Sequence, residues 1–198
     1  GMTTTENAVT TDPRPLYRDA LGWVAGLVAR IRAEQLIRPT PCSEFDVRTL
    51  LGHVVATVDK IRVIGEEGSP FTMPHVAPLP ADDDWSGALA DAVERMWTVW
   101  SDVTRLDAEL TAPWGTAPGR GALWGYLNET LVHGWDLAVA TGQEPEADPA
   151  LAGAVLAIAQ RMIPAEPRGG EMRFAPVVEP RAGAGPTERL ANWSGHAP

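Results

Sequence analysis

A chain of 198 residues, with 44% hydrophobic and 21% charged side chains, is long enough for one domain with a real core, and its single cysteine excludes an intrachain disulfide framework. The formal net charge of -10, with Lys60 the one lysine and no basic run, argues against nucleic acid and anionic membranes as partners. No apolar stretch is long enough to span a bilayer and the N-terminus does not read as a signal peptide, so a cytoplasmic protein is expected.

Gly1-Met2 reads as a tag remnant, and residues 1–13 as a polar, disordered tail. From Pro15 to about Glu34, Leu16, Ala20, Trp23, Val24, Leu27 and Ile31 recur at helical spacing and predict the first helix. Arg38-Pro39-Thr40-Pro41-Cys42-Ser43 is a turn-rich connection. Asp46 is placed to cap a second helix, which runs through Leu50, His53, Val54, Thr57, Ile61 and Ile64 to the Gly65–Gly68 breaker. A long loop with Pro70, Pro74, Pro78 and Pro80 ends at Asp82-Asp83-Asp84, which supplies an N-cap. A third helix is predicted over 85–106, with Leu89, Val93, Met96, Trp97, Trp100 and Val103 inward.

Thr111–Gly115 is short enough only for an edge strand or a turn. The fourth helix covers Gly119–Thr141 and ends on Gly142, and Pro149 opens a fifth that reaches about Met162. Beyond Pro164 proline and glycine dominate; Phe174–Val178 is expected as a short strand across the bundle, and 187–194 as a last helical turn. The fold class expected is mostly α, a four-helix bundle with an additional helix and an irregular C-terminal segment.

Of the four histidines, His75 in the proline-rich loop and His196 in the tail read as solvated. His53 and His133 fall on the apolar sides of two predicted helices. Glu129 and His133 are four residues apart, so at about 100° per residue they stack one turn apart on one face. With His53 from a neighbouring helix, two imidazoles and a carboxylate suit Zn with an open position, or Fe(II). An ion pair at a half-buried seam is the alternative, contributing about 0.2–0.5 kcal/mol. The cost of burying three such groups without a partner favours the metal. Asp136, near His133 on the same helix, is a candidate to orient its ring from the second shell. Cys42 reads as a small buried hydrophobe, with a nucleophile at the start of helix two as the alternative. Lys60 reads as a surface lysine, and Trp97 with Trp100 as core.

Two stretches carry a resemblance. Thr40-Pro41-Cys42-Ser43-Glu44-Phe45-Asp46-Val47-Arg48-Thr49-Leu50-Leu51-Gly52-His53 resembles the opening signature of the actinobacterial DinB/YfiT-like proteins. Glu129-Thr130-Leu131-Val132-His133-Gly134-Trp135-Asp136-Leu137-Ala138, followed by Ala140-Thr141-Gly142, resembles their second signature. The chain is most similar to the mycothiol-dependent maleylpyruvate isomerase N-terminal-like group, over about Pro15 to Pro198. The resemblance implies a four-helix bundle, residues 14–166, that binds a divalent metal through His53, Glu129 and His133, with residues 167–198 packed on it as a Pro/Gly-rich extension. Zn is the metal expected, with Ni and Fe as alternatives. A mycothiol-like thiol is the implied cosubstrate, in transfer to or isomerisation of a small electrophile. A metal-dependent hydrolase and a non-catalytic binding or stress-response protein are the other readings. A small-molecule substrate is the expected partner, a homodimer an open alternative. No cluster of arginines is in place to bind a dicarboxylate.

Overall fold

The computed structural model describes residues 11–166, 168 and 174–198. Residues 1–10 of the expected tail lie outside that set. Among the described residues, six α-helices and one hairpin, joined by four short 3-10 turns, make up the regular structure: α1 (Arg14–Ala29), α2 (Val47–Gly65), α3 (Trp85–Trp100), β1 (Glu109–Ala112), β2 (Gly115–Pro118), α4 (Gly119–Thr141), α5 (Pro149–Met162) and α6 (Pro186–Trp193). The helices α1 and α2 each pack against both α3 and α4, which makes the four-helix bundle. On the outer side of α4 lie α5 and α6, packed on each other and on α4.

That second layer explains why α4 shows no polar face. Leu123, Leu127, Leu131, Trp135 and Leu137 are buried together with Ala122, Tyr126, Val132 and Ala138, so the helix is surrounded. Caps fix the entry of the other helices. The Asp46 carboxylate accepts the Thr49 amide at 2.8 Å and starts α2; Asp84 accepts the Gly87 amide at 2.9 Å and starts α3. Gly142, with φ 68°, closes α4. At the start of α6 the Glu146 carboxylate accepts the Thr187 and Glu188 amides at 3.0 and 2.9 Å. The small helix is thereby tied to the bundle.

Two expected helix ends and one expected strand are corrected, and one short segment is extended. The first helix stops at Ala29 and not near Glu34, because the Gln35 carboxamide takes the Arg32 amide at 2.8 Å and offers the backbone a local alternative to the helix. The third stops at Trp100, where Asp102 turns extended and its carboxylate accepts the Thr104 amide at 3.0 Å; a separate turn, Val103–Leu106, follows. Thr111–Gly115 belongs to a full antiparallel hairpin, Glu109 pairing with Pro118 and Ala112 with Gly115. Phe174–Val178 is not a strand: its ladder would lack the donor of Pro176, and Val178 bonds instead to the Asn192 carbonyl at 2.9 Å.

Candidate functional site

The end of the bundle where α2 meets α4 is built by two loops that the sequence makes rigid. In the first, the Thr40 hydroxyl lies 2.9 and 2.8 Å from the Cys42 and Phe45 carbonyls and accepts the Cys42 amide at 3.1 Å. Pro39 and Asp46 form an antiparallel bridge across its neck. This fold of the loop sets Phe45 beside His53, ring centroids 5.1 Å apart, and Cys42 beside α4. The second loop crosses α2 at Gly52. A Cβ there would stand 2.7 Å from Val76, and the Gly52 carbonyl accepts the Ala77 amide at 2.9 Å. Only a residue without a side chain lets this loop lie so close. The approach brings the His75 carbonyl to His53.

His53 Nδ1 stands 2.9 Å from that carbonyl oxygen. A carbonyl only accepts, so Nδ1 carries the proton. Burial, with the charge of His133 second, pulls the His53 pKa down to about 3. The neutral ring therefore keeps its lone pair on Nε2. Its centroid is 5.0 Å from that of His133, the two planes nearly perpendicular at 88°.

His133 Nδ1 lies 3.2 Å from Asp136 Oδ2, one turn along α4, so the carboxylate fixes this ring in the same tautomer. The other oxygen, Oδ1, is 2.8 Å from His196 Nδ1. Asp136 is fully buried. Burial alone would raise its pKa, but the two imidazole donors outweigh it and hold the carboxyl below its usual range. Burial likewise disfavours a charged His133, yet the hydrogen bond and charge of Asp136, with Glu129 behind them, leave its pKa raised.

His196, expected to be solvated in the tail, is instead held at the site. The tail turns back after α6: the His196 amide donates to the Ala191 carbonyl at 2.9 Å and the Asn192 side chain to the His196 carbonyl at 3.1 Å. The signal was indirect. A buried Asp with one histidine at i−3 still has an oxygen that needs a donor. His75 is exposed, as expected, but its backbone carbonyl and its ring, 4.5 Å from that of His53, both serve the site.

The structure brings His53, His133 and Asp136 together. Glu129 stands one turn before His133 and borders a cavity of about 500 Å³ between α4, α5 and the hairpin. Among the described residues, the three whose ligand atoms lie within 4.8 Å of one another are Cys42, His133 and Asp136. That group is a hydrogen-bonded cluster before it is an ion site, since both Asp136 oxygens already receive imidazole N–H groups. Burial, and then the charges of Asp136 and Glu44, push the Cys42 thiol up to about 12, so it keeps its proton at neutral pH. Cys42 is accordingly not an activated nucleophile. For a divalent ion the two imidazoles fit: each is held by Nδ1, the arrangement that metal-ligating histidines adopt; His53 already has a free Nε2 lone pair, whereas His133, with its raised pKa, offers one only after it gives up its second proton. The ligand atoms of His53, Glu129 and His133 do not all come within 4.8 Å of one another, so Glu129 would have to turn towards the rings to complete two imidazoles and a carboxylate.

The profile of the mycothiol maleylpyruvate isomerase N-terminal domain family matches residues 17–138. The chain belongs to this family. The matched span of this mycothiol maleylpyruvate isomerase N-terminal domain contains Cys42, His53, Glu129, His133 and Asp136; His196 lies beyond it. Two proteins of Mycobacterium tuberculosis, one from each of two strains and both described as uncharacterized, are 30% identical to the chain over 184 residues, covering 93% of it and 97% of their own length. No solved structure matches the chain. Among the described residues no helix is long and apolar enough to cross a membrane.

Proposed function

We propose that the protein is a metal-dependent enzyme that uses a low-molecular-weight thiol, mycothiol or a close analogue, to transfer to or isomerise a small electrophile. His53, Glu129 and His133 are the ligands in this reading, and Zn is the ion that suits them best. The observation that carries it is the pair of facing imidazoles, each fixed through Nδ1 by a backbone carbonyl or a buried carboxylate with its Nε2 left to a ligand; the cation would displace the second proton of His133. Family membership supports a thiol as the cosubstrate. A bound divalent ion supplies the charge that lowers the pKa of a coordinated thiol towards neutrality.

The protein's own residues do the rest. His53 stays neutral across the physiological range, so it does not have to lose a proton before it binds. Asp136 holds the His133 ring against rotation, and His196 holds Asp136. Phe45 covers the His53 face and keeps bulk water off it. Glu129, which lines the cavity, would turn to this centre as its third ligand, and from the cavity an organic substrate would reach the thiol. Cys42, with its proton held, leaves the nucleophile to the added thiol.

Co(II) makes the proposal visible. Adding a small thiol to the Co(II)-loaded protein is expected to produce a sulfur-to-metal charge-transfer band, which the Cys42→Ser variant retains and the His133→Ala variant lacks. A band present before any thiol is added, and lost in Cys42→Ser, would contradict this assignment.

A further inference from the structure

The cavity beside Glu129 has a chemistry of its own. Its walls include Trp114, Trp124, Val155, Ile158, Met162 and Phe174: three aromatic rings and three aliphatic chains. A volume of about 500 Å³ is in the range of pockets for drug-sized organic molecules. Two of the wall residues are large apolar side chains in contact with solvent, Trp114 at 45% and Met162 at 54% exposure. The mouth is thus apolar as well as the interior, which is costly in water and is relieved when a ligand covers it.

The Trp114 wall is a built feature. Trp114 sits in the hairpin turn and lies across α4 at Gly125, where a Cβ would meet its ring at 2.7 Å. Its ring also packs on Tyr126, centroids 5.3 Å apart. A glycine in the middle of a helix is destabilising against alanine, and here it makes room for an indole that is nearly half exposed. Core packing alone does not call for that arrangement.

Two polar atoms complete the picture. The Trp124 indole N–H and the Asn128 carboxamide oxygen are buried and have no hydrogen-bond partner among the described residues. They belong to side chains one turn apart on α4, and both side chains line the cavity. One is a donor and the other an acceptor, and each is costly while buried and unsatisfied.

We propose that this cavity is a binding chamber for a molecule with a flat aromatic body and one hydroxyl or amide group, the ring seated between Trp114 and Trp124 and the polar group meeting Trp124 and Asn128. This deepens the function proposed above by naming its organic substrate class, and it rests on that reading only for the reaction that follows; the binding itself involves no metal. Glu129 borders the chamber, and His133 follows it one turn along α4.

The test uses the full chain after treatment with a chelator, so that a failure of the metal assignment leaves it untouched. N-phenyl-1-naphthylamine, uncharged and with one N–H group, is titrated in and its fluorescence followed. Saturable binding of one probe per chain is expected. Trp114→Ala removes an exposed wall residue and is expected to weaken binding about fivefold or more; Ala159→Phe fills the chamber and is expected to weaken it about tenfold or more. Melting temperatures establish that both variants fold. In competition, 2-naphthol is expected to displace the probe at a lower concentration than naphthalene, through its hydroxyl. Absence of saturable binding, or equal affinity in wild type and both folded variants, would overturn the chamber. Equal potency of 2-naphthol and naphthalene would overturn its polar half.

Discussion

If His53 is buried as a neutral ring, acid should unfold the metal-free protein through it. The unfolded chain takes up a proton on this residue near pH 6.5, whereas the folded one resists down to about pH 3. Between those values the unfolded state binds the extra proton, so stability falls as the pH is lowered. Each unit is worth about 1.4 kcal/mol, so near pH 5 the loss from this residue is about 2 kcal/mol, against almost none near pH 7.5. The assay is urea unfolding of chelator-treated wild type and His53→Gln at both pH values. His133 has the opposite sign: its raised pKa contributes stability that is fully present below its unfolded value and is lost as the pH rises through the folded one. Asp136, with its lowered pKa, withdraws support only as the pH falls through a value below the usual carboxylate range. Both groups are present in both proteins and largely cancel in the comparison. Wild type should therefore lose about 2 kcal/mol more than His53→Gln on going from about pH 7.5 to about pH 5. Equal losses would mean that His53 is not held neutral in the fold, and the tautomer argument would go with it.

Removing the tail's hold on Asp136 with His196→Ala should weaken Co(II) binding about tenfold, while His196→Asn, which keeps an N–H donor, should recover part of that; direct Co(II) titration measures both. Gly52→Ala should force Val76 and the crossing loop off α2 and destabilise the protein by about 1–3 kcal/mol in urea, a change that an exposed-site alanine would not cause. Cys42 should react only slowly with iodoacetamide at neutral pH in the folded protein and rapidly in urea, because its thiol is pushed up to about 12; rapid labelling of the folded chain would refute the assignment of Cys42 as unreactive.

The bundle was readable because its signals are local. Asp46 before the period of Leu50, His53 and Val54, Gly142 after Thr141, and Pro149 at the head of α5 each place a boundary by the chemistry of one or two residues. The ends of α1 and α3 were read too long because the competing groups, Gln35 and Asp102, act through hydrogen bonds that hydrophobic period does not register. The approach of His53 to His133 followed from two apolar helix faces that had to meet. The contribution of His75 is a backbone carbonyl, which no side-chain pattern announces. His196 was hidden for a different reason: its place on Asp136 depends on a tail that turns back after α6, a tertiary contact 60 residues apart in sequence.

In the proposed function His53, Glu129 and His133 bind one divalent ion. The direct measurement is elemental analysis after the chelator-stripped protein has been incubated with Zn and passed through a desalting column. One Zn per chain is expected for wild type, and far less than one for each of His53→Ala, Glu129→Gln and His133→Ala, with all four proteins shown to be folded by circular dichroism. No retained metal in wild type, or full retention in the His53 and His133 variants, would contradict it.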